Sequence, residues 1–306
     1  MVFYLKKSIK LIIGIFVAGL LFVFSTLWYF SSGLPDYKKL ANYKPPISSR
    51  VHSGEGNLIA EYALQKRLFI PYDSIPKKVV FSFLSAEDKN FFSHPGVDAK
   101  SITRATIKNL KNIFSDKRLE GASTITQQVA KNFLLTNEVS IKRKIKEAIL
   151  AFRIERAYSK ERIMELYLNQ IYLGAGTYGV AAASLEYFDK AVTELNYEEA
   201  ALLAALPRAP SKYNPYKSKK RAKQRRDFVL KNLYDNSYIN EDQYKKLKSK
   251  KIKTKKRKIK LLEEANYYTE EVRRVISNNY GYDSLYKGGL SIRTPLNSIY
   301  QIEAVK

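Results

Sequence analysis

The stretch KERIMELYLNQIYLGAGTYGVAAASLEYF, residues 160–188, decides the fold class. Ser159 stands before it as a helix N-cap, and Ile163, Leu166, Tyr167 and Gln170 follow at helical spacing. Gly174-Ala175-Gly176-Thr177-Tyr178-Gly179 then punctuates the chain. The glycines invite comparison with a phosphate-cradling loop. The spacing matches no P-loop, however, and no Gly-Lys-Ser/Thr follows, so the segment reads as a tight turn between two helices. Tyr167, Tyr172, Tyr187 and Phe188 recur as core aromatics do, and Asn169 is the polar exception among them.

Outward from this stretch the pattern stays helical over 76–215. Asn196 with Glu199 fits a capping box that opens a helix, and Pro207 ends it. The fold class is therefore mainly α. Residues 31–75 read as a stalk and a small β region. There Pro35, Pro45 and Pro46 break helix, Glu55-Gly56 suits a turn, and Leu58-Ile59-Ala60-Glu61-Tyr62 suits a short strand. After Pro215 the composition shifts. Lys217 to Arg226 is strongly basic, and Lys245 to Lys260 holds eleven Lys/Arg in sixteen residues. Residues 216–306 read as a basic linker leading into the start of another domain. No internal repeat is visible.

The 306 residues carry 54 Lys+Arg against 29 Asp+Glu, a net charge of +25. Such a balance favours anionic partners: nucleic acid, anionic lipid or a phosphorylated substrate. There is no cysteine, which excludes disulfides, Cys-ligated zinc, iron–sulfur clusters and a thiol nucleophile. His52 and His94 are the only histidines, too few for a His-rich metal site. Leu11 to Phe30 is a run of twenty uncharged residues, about 30 Å as a helix, which is the hydrocarbon thickness of a bilayer. Trp28 and Tyr29 sit where an interfacial aromatic belt is expected. Lys6, Lys7 and Lys10 precede the run, which places residues 1–10 in the cytoplasm, makes 11–30 a transmembrane anchor and puts the rest outside. A cleaved signal peptide is the rival, but its apolar core is shorter, and Ser31, Ser32 and Gly33 form no A-x-A site. The lysine run reads as a solvated surface or as a dock for anionic headgroups. Nucleic acid is not an expected partner, since the chain is exported and carries no nucleic-acid motif.

Four clusters between 87 and 190 carry chemistry. Glu87-Asp88-Lys89-Asn90-Phe91-Phe92-Ser93-His94-Pro95-Gly96 sets paired carboxylates beside aromatics. That suits a general base of raised pKa, or equally a surface pair at a helix end. Gly121-Ala122-Ser123-Thr124-Ile125-Thr126-Gln127-Gln128, with Lys131-Asn132, offers neutral donors and acceptors for sugar hydroxyls or phosphate oxygens, or caps a helix. Arg143 and Lys144 lie four and three residues before Glu147, so the three share one helix face. A carboxylate flanked by cations stays ionised at neutral pH, although a surface ion pair has the same spacing. The fourth cluster is the opening stretch itself with Asn169.

In this order, EDKNFFSHPG, GASTITQQVAKN, RKIKEA, YLNQIYLGAGTYGVAAASLEYF and EEAALLAALPRAPSKYNP closely resemble the peptidoglycan glycosyltransferase domain, glycosyltransferase family 51, from about 50 to 215. The tail ANYYTEEVRRVISNNYGYDSLYKGGLSIRTPL resembles the linker before the transpeptidase domain of class A penicillin-binding proteins of the 1A type. The resemblance implies a lysozyme-like fold for 76–215, and a truncated bifunctional enzyme in which penicillin binding is not expected. Ser74 to Lys77 and Ser284 to Lys287 are Ser-x-x-Lys strings with no Lys-Thr-Gly after them, and read as chance.

The family polymerises lipid II on the outer, periplasmic face of the cytoplasmic membrane. By resemblance Glu87 is the general base on the acceptor hydroxyl, its pKa lifted by Asp88 and by burial against Phe91 or Phe92, and Glu147 assists at the donor end. Lys131, Arg143 and Lys144 match the cations on the donor pyrophosphate, and Asp88, Ser123, Thr124, Gln128, Asn132 and Asn169 match substrate-contacting positions. His94 shapes its loop, and Ile113, Phe114 and the residues around Lys117 correspond to a membrane-dipping segment. No cofactor is required, although some members use a divalent cation, magnesium or manganese, on the pyrophosphate. The implied partners are lipid II, the growing glycan on undecaprenyl pyrophosphate, the cytoplasmic membrane and other proteins of wall synthesis. A lytic enzyme of the same fold would gain nothing from the pyrophosphate cations. A non-catalytic scaffold would not need Glu87 and Glu147.

Overall fold

The computed structural model describes residues 2–306 except 42, 44, 45, 64, 113–120, 137, 139 and 256–261, and the side chains of its first helix from residue 13 onward, apart from that of residue 23. The expectations placed on Pro45, on Ile113, Phe114 and Lys117, and on Lys256 to Lys260 lie outside the described residues. The chain forms two compact units, Met1–Asn42 with Phe91–Ile163, and Tyr43–Asn90 with Met164–Lys306.

The first unit opens with α1 (Val2–Ser31). Its Ile13–Ser31 portion is long and apolar enough to cross a membrane. Its apolar side chains are uncovered, with Phe22 74% and Trp28 73% exposed. A helix satisfies its own backbone polar groups, so such a surface is stable in hydrocarbon. Below it come α3 (Ala99–Asn112), α4 (Ile125–Leu134) and α5 (Ile141–Ala157). The α4 helix starts at a capping box: the Thr124 hydroxyl accepts from the Gln127 backbone N–H at 3.2 Å, and Gln127 Oε1 accepts from the Thr124 N–H at 2.9 Å. Ser140 caps α5 by accepting from the Arg143 N–H at 3.1 Å. The two helices pack side by side, with Ile125, Val129, Leu150 and Ile154 buried. The end of α1 is fastened to this pair, since the Arg153 guanidinium donates to the Ser31 hydroxyl. Tyr158 adds a hydrogen bond to the Tyr37 carbonyl at 3.1 Å.

In the second unit a small sheet is built from β1 (Ser49–His52), β2 (Leu58–Tyr62) and a late strand, β6 (Ser291–Arg293), in the order β2-β1-β6. The strand expected at 58–62 is present, antiparallel to β1, while β6 runs parallel to β1. The two β regions that flank the helical part in sequence therefore share one sheet. Val51, Ile59 and Ala60 form its core, with Tyr268 and Val272 packed on them. A second sheet holds β3 (Lys66–Arg67), β4 (Tyr172–Gly174) and β5 (Thr177–Tyr178). Residues 174–179 thus form a β-hairpin, where a plain inter-helix turn was expected. Ala175 at φ 51° and Gly176 at φ 75° make the two-residue connection. Positive φ at both centres matches the twist of paired strands, which is why the segment pairs.

The helices of this unit are α2 (Lys77–Glu87), α6 (Lys160–Gln170, within which the unit boundary falls), α7 (Val180–Phe188), α8 (Tyr197–Ala205), α9 (Pro210–Tyr213) and α10 (Lys219–Asp235). They are followed by α11 (Glu241–Ser249), α12 (Asn266–Tyr280), α13 (Tyr282–Lys287) and α14 (Ser298–Val305). Ser159 caps α6 as expected, accepting from the Arg162 N–H at 3.2 Å. Glu199 accepts from the Asn196 N–H at 2.8 Å at the start of α8. The α2, α8 and α10 helices pack mutually, burying Phe83 and Leu84, the Ala/Leu run of α8, and Val229, Leu230 and Leu233. Each large apolar side chain so buried contributes about 1.5–3 kcal/mol. The segment Lys217–Arg226, expected to be linker, instead leads into a core helix. Its basic residues mask Ala222, Val229 and Leu233, which recur on one face, and Arg226 is only 1% exposed, paired with Asp227 at 2.6 Å.

Candidate active site

In the first unit a carboxylate is held by two cations. Glu147, on α5, is 1% exposed. Arg143, one turn earlier, forms an ion pair with its Oε1, and Lys144 Nζ lies 2.7 Å from its Oε2. Lys144 also donates to the Ser123 hydroxyl at 2.8 Å, while Arg143 Nε donates to the Glu138 carbonyl. The predicted Ser123, Arg143, Lys144 and Glu147 are thus brought together. The three charged groups sum to one positive charge, and the Lys144 side chain is half exposed. An incoming anion would therefore meet a cation already oriented by its partners.

Thr124, expected to contact substrate, does something else. It is 1% exposed, caps α4 and donates its hydroxyl to the Gly96 carbonyl at 2.6 Å. Gln128, Lys131 and Asn132 lie along the same α4, with Asn132 exposed and Gln128 and Lys131 half-buried. His94 shapes its loop as anticipated, since its Nδ1 accepts from the Gly96 N–H at 3.1 Å. Gly96 has φ +100°, and a Cβ there would stand 2.8 Å from the Ala151 carbonyl oxygen, so only glycine lets this loop lie on α5. A polar chain missed in the sequence supports it. Thr126 donates to Glu155 at 2.5 Å, Lys160 pairs with Glu155 at 2.8 Å, donates to the His94 carbonyl at 2.7 Å, and lies over the Phe91 ring at 4.5 Å.

An apolar groove of about 570 Å³ runs through the same unit. Phe22 and Leu27 of α1 line it together with Val97, Ile145 and Ala148, and so do Ser123 and Lys144. A cationic, hydrogen-bonding pair and a continuous apolar wall therefore share one concavity.

In the second unit Glu87 is the half-buried last residue of α2, and Asp88 is its buried C-cap. Tyr167 of α6 is fully buried and packs edge-on to Phe83, with ring centroids 6.0 Å apart. Its hydroxyl has no hydrogen-bond partner among the described residues. Burial holds that hydroxyl well above the usual phenol range, and the negative charges of Glu87 and Asp88 add to the effect. Asn169 is a correction: it is 3% exposed and both ends of its amide are engaged. It donates to the carbonyls of Ile70 at 2.8 Å and Glu165 at 2.9 Å, and accepts from the Ile70 N–H at 2.8 Å. It pins an extended segment to α6 and has no donor left for a substrate. Among the described residues no three His, Asp or Glu side chains group so as to hold a metal ion.

The transglycosylase family profile matches residues 55–234. The chain belongs to the transglycosylase family. The match extends past the motif region into α10, as the packing of that helix requires. Among its relatives, this transglycosylase is 46% identical over 300 residues to penicillin-binding protein 1A of Rickettsia prowazekii (strain Madrid E), covering 96% of this chain and 38% of that protein. It is 39% identical over 293 residues to penicillin-binding protein 1A of Escherichia coli (strain K12), covering 96% and 34%. The crystal structure of penicillin-binding protein 1A from Haemophilus influenzae aligns with a TM-score of 0.52 at 26% identity, over 86% of this chain and 29% of that one. The transglycosylase chain thus spans little more than a third of the length of the relatives it matches.

Glu147→Ala removes the anion between Arg143, whose side chain is 12% exposed, and Lys144. A largely buried guanidinium left unpaired should cost about 3 kcal/mol, read as a lower denaturation midpoint. A change below about 0.5 kcal/mol would mean that the pair does not hold this unit together.

Proposed function

We propose that this chain polymerises lipid II into β-1,4-linked glycan strands and releases undecaprenyl pyrophosphate with inversion at the donor carbon. The observation that carries this reading is the shared lining of the groove: Ser123 and Lys144, bonded to the Glu147 pair, stand in an apolar concavity walled partly by the membrane-length helix α1. A lipid carrying an anionic diphosphate next to a sugar has that polarity pattern, with an apolar tail and a charged head. In this reading the Glu87 carboxylate takes the proton from the 4-hydroxyl of the acceptor N-acetylglucosamine. The hydroxyl oxygen bonds to C1 of the donor N-acetylmuramic acid, and the C1–O bond to pyrophosphate breaks. Arg143, Lys144 and Lys131 balance the charge that develops on the leaving diphosphate. A magnesium or manganese ion, where used, would help neutralise the pyrophosphate charge.

The anchor is assigned an N-terminus in the cytoplasm and a catalytic part on the outer face of the cytoplasmic membrane, which Lys6, Lys7 and Lys10 support. A tethered site meets lipid-linked substrates in two dimensions at high effective concentration.

Detergent-solubilised protein given labelled lipid II should yield a glycan ladder, and Glu87→Gln should give none while melting like the wild type, because an amide cannot take the proton. A ladder from that variant would remove Glu87 from the mechanism. Ala148→Phe fills the groove and should raise the KM for an undecaprenyl donor about tenfold, roughly 1.4 kcal/mol, relative to a donor with a short isoprenoid. Equal effects on both donors would place the tail elsewhere. The chain has no cysteine, so single cysteines report topology cleanly. An impermeant thiol reagent on intact spheroplasts should label Ser249→Cys and spare Ser8→Cys, and the reverse pattern would invert the assigned orientation.

A further inference from the structure

Arg225 and Arg226 are neighbours in sequence and differ in what they meet. Arg226 has its own carboxylate, Asp227, at 2.6 Å. Arg225 is 8% exposed, its guanidinium lies over the Phe228 ring at 4.5 Å, and its Nε has no hydrogen-bond partner among the described residues. A guanidinium in that setting needs a compensating anion nearby.

The packing of α10 on α2 shows which anion is in reach. Asn232 donates to the Ser85 carbonyl at 2.8 Å, Asn236 donates to the Ser85 hydroxyl at 3.2 Å, and Tyr238 stacks on Phe81 with ring centroids 4.2 Å apart. Moving toward the end of α2 therefore means moving toward the start of α10. Arg225 stands seven residues before Asn232, two helical turns and about 10 Å back on nearly the same face. That carries it past Ser85 and beyond the end of α2, whose last residue, Glu87, is about 3 Å further along than Ser85.

We propose that Arg225 is a positioning residue for Glu87, holding its carboxylate in the charged, proton-accepting form at the end of α2. The inference rests on the reading of Glu87 as the base. Electrostatics agree with the geometry: burial and the like charge of Arg208 weaken the hold of Arg225 on its proton, and the Glu87 carboxylate is the foremost group opposing them, with Tyr213 behind it. Several other groups of this unit bear on Glu87 or lie on elements packed against α2. Asp88 is a second anion beside it, and the Tyr167 hydroxyl is neutral and buried. On α8, Glu198 and Glu199 are taken by Lys250 and Lys190, at 2.6 Å and 2.7 Å. Arg225 offsets Asp88, so that Glu87 is ionised at the pH at which it must accept a proton.

The sign follows. Without the cation the charged form of Glu87 is less favoured, its pKa rises, and the acid limb of the kcat/KM profile moves to higher pH. Arg225→Gln should shift that limb up by about one pH unit, losing about tenfold in rate below the limb and little well above it. Arg225→Lys keeps the charge and should keep the limb in place. Where Arg225→Gln does not fold, Phe228→Leu, which removes the ring beneath the guanidinium, should move the limb part of the way. A limb at the wild-type pH in a folded Arg225→Gln, or in Phe228→Leu where that one is used, with the rate scaled equally at every pH, would overturn the proposal and leave Arg225 a packing residue. Glu87→Gln separates the two ideas: a silent Glu87→Gln with an unmoved limb sinks this inference alone, whereas an active Glu87→Gln sinks the base assignment beneath it.

Discussion

A carboxylate taken out of water stays ionised only if the surrounding protein replaces what the water supplied. At Glu147 that demand organises the whole first unit. Arg143 and Lys144 have to come from the preceding turn of the same helix, which fixes α5 as a helix there. Lys144 has to reach Ser123, which fixes the strand of chain leading into α4. The α5 helix then serves as the platform for the rest: Gly96 lies on its backbone, Glu155 ties in Thr126 and Lys160, and Arg153 holds the end of α1. The arrangement is costly as a source of stability and informative as a device, because it leaves a half-exposed ammonium whose position is already set.

The two units treat acidic groups differently. Glu147 is buried and paired with two cations of its own helix. Glu87 sits half-buried next to another carboxylate, with the buried Tyr167 phenol in electrostatic reach. Two adjacent carboxylates raise the cost of charging either one, and a cation nearby lowers it. The excess of 54 basic over 29 acidic residues conceals this division of labour, since among the described residues Arg67, Arg225 and Arg226 are buried and no lysine is.

What the sequence made legible was whatever one or two turns of chain decide. The Ser159 cap, the Glu199 bond that opens α8, the strand at 58–62 and the Arg143–Lys144–Glu147 face all depend on residues within four positions of one another. Composition misled where direction mattered. Lys217–Arg226 counts as a basic run, yet on a helix those residues point several ways, and the apolar face of α10 emerges only when α2 and α8 lie against it. Hydroxyls and amides were ambiguous for the same reason. Thr124 and Asn169 have the chemistry to bind a sugar, and nothing in their neighbours reveals that the Gly96 carbonyl and the backbone of Ile70 claim them first. Tyr167 read correctly as core, but the effect of the Glu87 charge on its hydroxyl comes from a residue eighty positions away.

The pairing of β1 with β6 has a bearing on how the chain is made. Arg50 and Ser291 are in register across about 240 residues of intervening polypeptide. At ribosomal speeds of roughly 5–20 residues per second, β1 emerges tens of seconds before the strand that completes its sheet. During that interval one edge of β1 is occupied by β2 and the other offers unpaired backbone groups to any extended segment that passes. Assembly of this sheet is therefore a late event that follows synthesis of the helical body. A nascent chain arrested between the two strands would carry a sticky edge, a natural place for a holding chaperone to act.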